Sequence, residues 1–182
     1  MNLRREVVSH DGRRTAYVTL GDGPTIVMLP GERHTLDDWA GTGYLARYAG
    51  AHRLIGIDLG PDVLDSGVAR VTDVLEEEAV SAAVLWGLEK GGEVALAVAR
   101  RRPGLASALI CGALPLAEVL KPRVPMFAYW ASGEPFAAQN SRTAETMAIE
   151  SAVIPGSPEE SFTLLDRVAV GVDRFLDNVF RG

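Results

Sequence analysis

The sequence predicts an α/β fold: a mostly parallel sheet with helices on both faces and no lid domain. Three observations point there. Short runs such as Thr25–Leu29, Arg53–Ile57 and Ala82–Trp86 are apolar almost throughout, as strands buried on both faces must be. Segments of helical spacing alternate with these runs, which supplies the crossovers that parallel strands need. The stretch AAVLWGLEKGGEVALAVARRRP, residues 82–103, passes from buried strand through a tight glycine turn straight into a helix.

Each element follows in chain order. Residues 3–20 read as two strands joined by the turn His10-Asp11-Gly12. The run Thr25–Leu29 ends at Pro30-Gly31, and residues 36–49 carry helical spacing. Arg53–Ile57 ends at Asp58, which supports its own turn. Residues 68–80 are helical, with Glu76, Glu77 and Glu78 in solvent. Ala82–Trp86 is followed by a helix over about Glu93–Arg101. Strands over Ser107–Cys111, Val124–Trp130 and Ser151–Ile154 continue the alternation, and helical patterns follow the last two. The final helix, Glu160–Phe180, repeats Phe162, Leu165, Val168, Val172, Phe175, Leu176 and Val179 at helical spacing. No repeat or long linker divides the chain, so residues 1–182 read as one domain. Ligands in such sheets lie beyond the carboxyl ends of the strands. Those ends are Gly31, Asp58, Gly87, Leu114, Ala131 and Pro155.

Composition narrows the function. At 47% hydrophobic and 23% charged, the 182 residues suit a globular domain with one good core. No apolar run approaches membrane-spanning length, and MNLRREVVSH lacks the apolar segment of a secretory signal. A cytoplasmic protein with no membrane partner is the expectation. A net charge of −6 argues against nucleic acid. The Arg100-Arg101-Arg102 cluster follows a helical stretch, whose dipole favours cations there. Cys111 is the single cysteine, so an internal disulfide and a cysteine-ligated metal site are excluded, and no cofactor is implied.

The turn Gly87-Leu88-Glu89-Lys90-Gly91-Gly92 matches neither common phosphate-binding glycine pattern. It fits G-x-S-x-G with glutamate in place of serine, a turn whose small flanking residues let a strand bend sharply into a helix. Four other stretches extend the match. TIVMLPGERHTLDDW resembles a third strand and oxyanion loop, with Pro30-Gly31 where His-Gly is usual, and HRLIGIDLGP resembles the next strand and its aspartate turn. RVPMFAYWASGEP resembles the strand that delivers an acid, and ESAVIPGSPEESF the last strand and its histidine loop. Over nearly its whole length the chain resembles the α/β-hydrolase superfamily.

That resemblance implies roles position by position. The nucleophile position holds Glu89, the acid position Glu134 and the histidine position Glu159. No histidine follows His52, so the usual serine-hydrolase mechanism is excluded. The backbone N–H groups of Glu32 and Lys90 fall where the family builds its oxyanion hole. His34, in the oxyanion loop, is expected to face Glu89, with Glu134 or Glu159 orienting the imidazole. Both glutamates also suit helix starts. Trp39 and Leu88 are expected to line the substrate pocket, whereas Trp86 and Trp130 read as core. Only about Pro115–Arg123 stands where the family places its lid. The resulting open site suits a bulky partner, or completion by a second copy in a homodimer.

A carboxylate at a helix N-terminus is stabilised as the anion. As a nucleophile it forms a mixed anhydride, which requires a donor as reactive as a thioester. As a general base it takes a proton from a thiol, alcohol or water, worth roughly 10²–10⁴ in rate, and His34 can hold or pass that proton. Both routes point to acyl transfer from an acyl-thioester donor, on a carrier protein or CoA, to a peptide or small-molecule acceptor. The carrier-protein-dependent acyltransferases of specialised metabolism, thiopeptide assembly included, are similar in design. Two alternatives stand beside this: a thioesterase or esterase-type hydrolase, and a non-catalytic binding protein on a decayed hydrolase scaffold. Against decay, a bulky residue in that strained turn costs about 1–3 kcal/mol, which drift to alanine or glycine would relieve.

Overall fold

The structure, a computed structural model, describes residues 4–31, 34–60, 64–117, 119, 121–158 and 165–181. The strands are β1 (Arg4–His10), β2 (Arg13–Leu20), β3 (Thr25–Leu29), β4 (Arg53–Ile57), β5 (Ala83–Leu88), β6 (Ala106–Gly112), β7 (Met126–Ala131) and β8 (Glu150–Ile154). The helices are α1 (Leu36–Gly41), α2 (Tyr44–Tyr48), α3 (Leu64–Glu77), α4 (Lys90–Arg101), α5 (Ala137–Met147) and α6 (Leu165–Arg181). One sheet runs in the order β1-β2-β4-β3-β5-β6-β7-β8. The β1/β2 and β2/β4 pairs are antiparallel, and all others are parallel.

The strand positions follow from burial. Every residue of β5 and β7 is buried, which is what unbroken apolar runs such as Ala83–Leu88 provide. Alternate side chains feed two cores. Val27, Leu29, Leu85, Leu109 and Trp130 meet α3, α4 and α5 on one face. Ile26, Met28, Trp86, Phe127 and Tyr129 meet α1, α2 and α6 on the other. The edge strand β1 is mostly exposed, and its hairpin is tied to α3 by the Arg13–Asp73 ion pair at 2.7 Å.

Three elements differ from the sequence pattern. Residues 36–49 form two short helices, because Gly43 at φ 84° interrupts them. Helix α4 starts at Lys90, ahead of the apolar periodicity that begins near Glu93. Glycine is a poor helix former, yet Gly91 and Gly92 lie in the first turn because packing against the β3 end outweighs propensity there. Helix α3 likewise starts at Leu64, before its apolar stripe begins.

Between β6 and β7 the chain takes a short connection in place of a lid. Asn140 of α5, fully buried, pins it: the Leu116 N–H donates to Oδ1 and Nδ2 donates to the Leu114 carbonyl, both at 2.8 Å. Cys111 lies in β6 opposite Gly87, only 1% exposed, and burial pushes its thiol up to about 12.

Candidate active site

The β5–α4 turn sets the site. Glu89, between strand and helix, adopts φ 49° and ψ −118°, a conformation that L residues rarely hold. Its neighbours impose this. A Cβ at Gly87 would collide with the Gly91 backbone, and one at Gly91 would collide with the carbonyls of Leu29 and Pro30. The Glu89 N–H donates to the Gly112 carbonyl at 2.9 Å, and the Glu89 carbonyl accepts from Gly92 at the same distance. The turn is therefore stitched to both β3 and β6, and Glu89 stands at the carboxyl edge of the sheet at the start of α4.

Gly31 is where the loop after β3 meets this turn. Its Cα lies directly against the Glu89 side chain, so that an added Cβ would collide with Oε2. The His34 N–H donates to the Gly31 carbonyl at 3.2 Å. Thr35 caps α1 reciprocally with Asp38: the Thr35 N–H reaches Oδ2 at 2.6 Å, and the Asp38 N–H returns to Oγ1 at 3.3 Å. The Thr35 backbone and hydroxyl bonds hold the Asp38 carboxyl below its ordinary value, and the nearby His34 adds to them.

Beside the turn lies a cavity of about 960 Å³. Pro30, Gly31 and His34 bound it on the side of the loop after β3, Lys90, Glu93 and Val94 on the α4 side, and the β1–β2 hairpin lines its far end. The turn after β4 contributes Asp58, whose Oδ1 accepts from the Gly60 N–H at 2.9 Å.

No protein-family model matches the chain, and no curated protein matches it by sequence. Solved structures do. A CIB-like hydrolase from Thermoplasma acidophilum superposes with a TM-score of 0.83 at 20% identity, over 98% of this chain and 99% of its own. A carboxylesterase from Nitrososphaera gargenis gives 0.80 at 13%, over 97% and 99%. The carboxylesterase CesB from Bacillus subtilis gives 0.79 at 14%, over 100% and 93%. The chain has the α/β-hydrolase fold. It spans nearly the full length of each of these hydrolase-fold chains without a separate lid insertion.

Within the α/β-hydrolase frame the candidate residues divide. Glu89 occupies the turn between β5 and α4, and His34 is joined to it through Gly31. Lys90 opens α4. Glu32 and Glu159 lie outside the described residues.

Glu134 sits in the turn after β7, where its N–H donates to the Ala131 carbonyl at 3.1 Å and its carbonyl accepts from Ala137 at 3.0 Å. Three strand steps separate β7 from β3, roughly 14 Å, with the elbow between them. Glu134 and His34 thus stand on loops that follow different strands of the sheet.

Trp39 and Leu88, expected in the pocket, are not among the residues that line this cavity. Trp39 is 1% exposed and packs its ring 5.8 Å from Trp86 and 5.2 Å from Tyr44. Leu88 is 2% exposed and lies over Gly112. Both belong to the core on the α1/α2/α6 face, Trp39 as the buried residue of α1 and Leu88 by alternation along β5. The cavity wall uses Tyr17, Val18, Leu36, Leu59, Leu64 and Val94 instead. Asp38 was legible in the Thr35-x-x-Asp38 spacing of a capping box; the hairpin wall carried no local signal.

Proposed function

We propose that the protein transfers an acyl group from a thioester-linked donor to a thiol, alcohol or amine acceptor, with Glu89 as general base. The observation that carries this reading is the strained elbow: φ 49° and ψ −118° are retained for a carboxylate set at a helix N-terminus. Carboxylesterases with the same fold support acyl-group chemistry in general. The absence of histidine after His52 separates this chain from the usual mechanism.

The steps balance simply. Glu89 takes the proton of the acceptor X–H as X bonds to the thioester carbonyl carbon. The carbonyl π pair moves to oxygen, and in this reading the Lys90 N–H donates to it. Collapse restores the carbonyl and breaks the C–S bond, and the departing thiolate recovers the proton from Glu89. The acyl group has moved from sulfur to X, and the proton from X to sulfur. With water as X the same steps give a thioesterase.

A second reading, a binding protein without catalysis, draws on the Glu89 carboxylate lying against Gly31. An anionic side chain there occupies ground that a substrate oxygen would need.

Product analysis and intact mass with a panel of acyl-thioesters and acceptors tests both. Turnover by wild type and a loss of about 10²-fold or more in Glu89→Gln is the expected result. An acyl adduct on wild type alone would make Glu89 the nucleophile. Binding of the panel with no turnover would establish the second reading, and equal turnover in Glu89→Gln would move the chemistry elsewhere.

A further inference from the structure

We propose that the cavity of about 960 Å³ beside the elbow is the pocket for the donor's acyl group, and that it selects a bulky apolar acyl chain or ring over a short one. This rests on Glu89 as the seat of acyl chemistry.

Position comes first. The cavity is bounded by Gly31 and His34 on one side of the elbow and by Lys90 on the other, and it runs from there to the β1–β2 hairpin. A group whose carbonyl reacts at Glu89 has this space next to it.

Size comes second. Small-molecule pockets span about 300–1,000 Å³, so this one is large for a single acyl chain and far larger than an acetyl group requires. A two-carbon acyl group would leave most of the apolar wall against water.

The character of the wall comes third. Tyr17, Val18, Leu36, Leu59, Leu64 and Val94 present apolar surface from the hairpin, α1, the turn after β4, α3 and α4. Several polar side chains on the wall are already engaged. Arg5 pairs with Asp37, Arg4 with Glu6 at 2.9 Å, and Asp58 with the Gly60 N–H. A charged occupant would compete with these bonds, whereas an apolar one leaves them intact.

The test separates this inference from the reading it rests on. Unreactive ketone analogues of acyl-pantetheine, with a methylene in place of the thioester sulfur, are titrated calorimetrically with chains from two to ten carbons. Wild type and Glu89→Gln should both bind more tightly with length, by about fourfold per buried methylene, until the cavity is filled. Leu64→Trp should end that rise at a shorter chain, and Leu36→Trp provides the same measurement if the first variant misfolds. A flat series on a protein that turns thioesters over would overturn the pocket assignment and leave Glu89 in place. A length-dependent series on a protein that turns nothing over would uphold the pocket and remove the catalytic reading. Affinity that grows with the acceptor and ignores the acyl chain would assign the cavity to the acceptor instead, against the proposal.

Discussion

Glu89 holds a backbone conformation that glycine adopts freely and glutamate does not, at a cost of about 1–3 kcal/mol. Glu89→Gly should therefore be more stable than wild type. After deducting about 0.5–1 kcal/mol for the freer unfolded chain, a gain near 1 kcal/mol remains, or roughly 2–4 °C in thermal midpoint. A midpoint that falls would show that the turn is not strained. The flanking glycines divide differently. At Gly31 an added methyl meets the end of a flexible side chain, at Gly91 the backbone of the β3 end. Gly31→Ala should leave the fold intact and cut turnover at least tenfold by displacing the carboxylate, whereas Gly91→Ala should cost about 1–3 kcal/mol or more in denaturant unfolding. The places of Glu89 in the strand-to-helix turn and of His34 in the loop after β3 were legible because glycines beside both fix the local path. Trp39 and Leu88 were misread because nearness in sequence to such a motif does not say which face of the sheet a side chain takes.

The contact between α2 and α6 carries a pH dependence. His52, just past α2, lies with its ring 5.2 Å from Phe180 and 6.3 Å from Tyr48. Burial depresses its pKa below 6.5, and the opposing pull of Asp173 and Asp177 does not cancel this. Arg47 and Tyr48 complete the charged and titratable groups around it, with Arg47 paired to Asp173 at 2.6 Å. A depressed histidine favours the folded state fully above pH 6.5, and that contribution is lost as pH falls through the lower folded value. The thermal midpoint should drop between about pH 7 and pH 5.5 in wild type and drop less in His52→Gln; equal drops would place the titration elsewhere. At this scale the strands were read within a residue or two, since their burial is written in unbroken apolar runs. Helix starts were read late, at Val68 for Leu64 and at Glu93 for Lys90, because first turns at the sheet edge carry polar and glycine residues that give no periodic signal.

Across the whole molecule, one buried side chain holds the short link between β6 and β7. Asn140→Ala would strand the Leu116 N–H and the Leu114 carbonyl without their partner. The expected loss is about 2–5 kcal/mol, or a fall of roughly 5–15 °C in midpoint, measurable by scanning calorimetry. A loss below about 1 kcal/mol would mean that water replaces the amide. The sheet and its two helical faces were legible from the alternation of apolar runs and helical spacing. The cavity was not, because its walls come from positions as far apart as Arg5 and Val94, and their convergence is a property of strand order. Cys111 has a consequence of another kind. Thioesters acylate accessible thiols without any enzyme, and most proteins answer such reagents with a background of spurious labelling. Here the single thiol is sealed inside the sheet in its protonated form. An acyl adduct on the folded chain therefore reports an oxygen or an amine, and alkylation of Cys111 becomes a clock for how often the whole sheet opens.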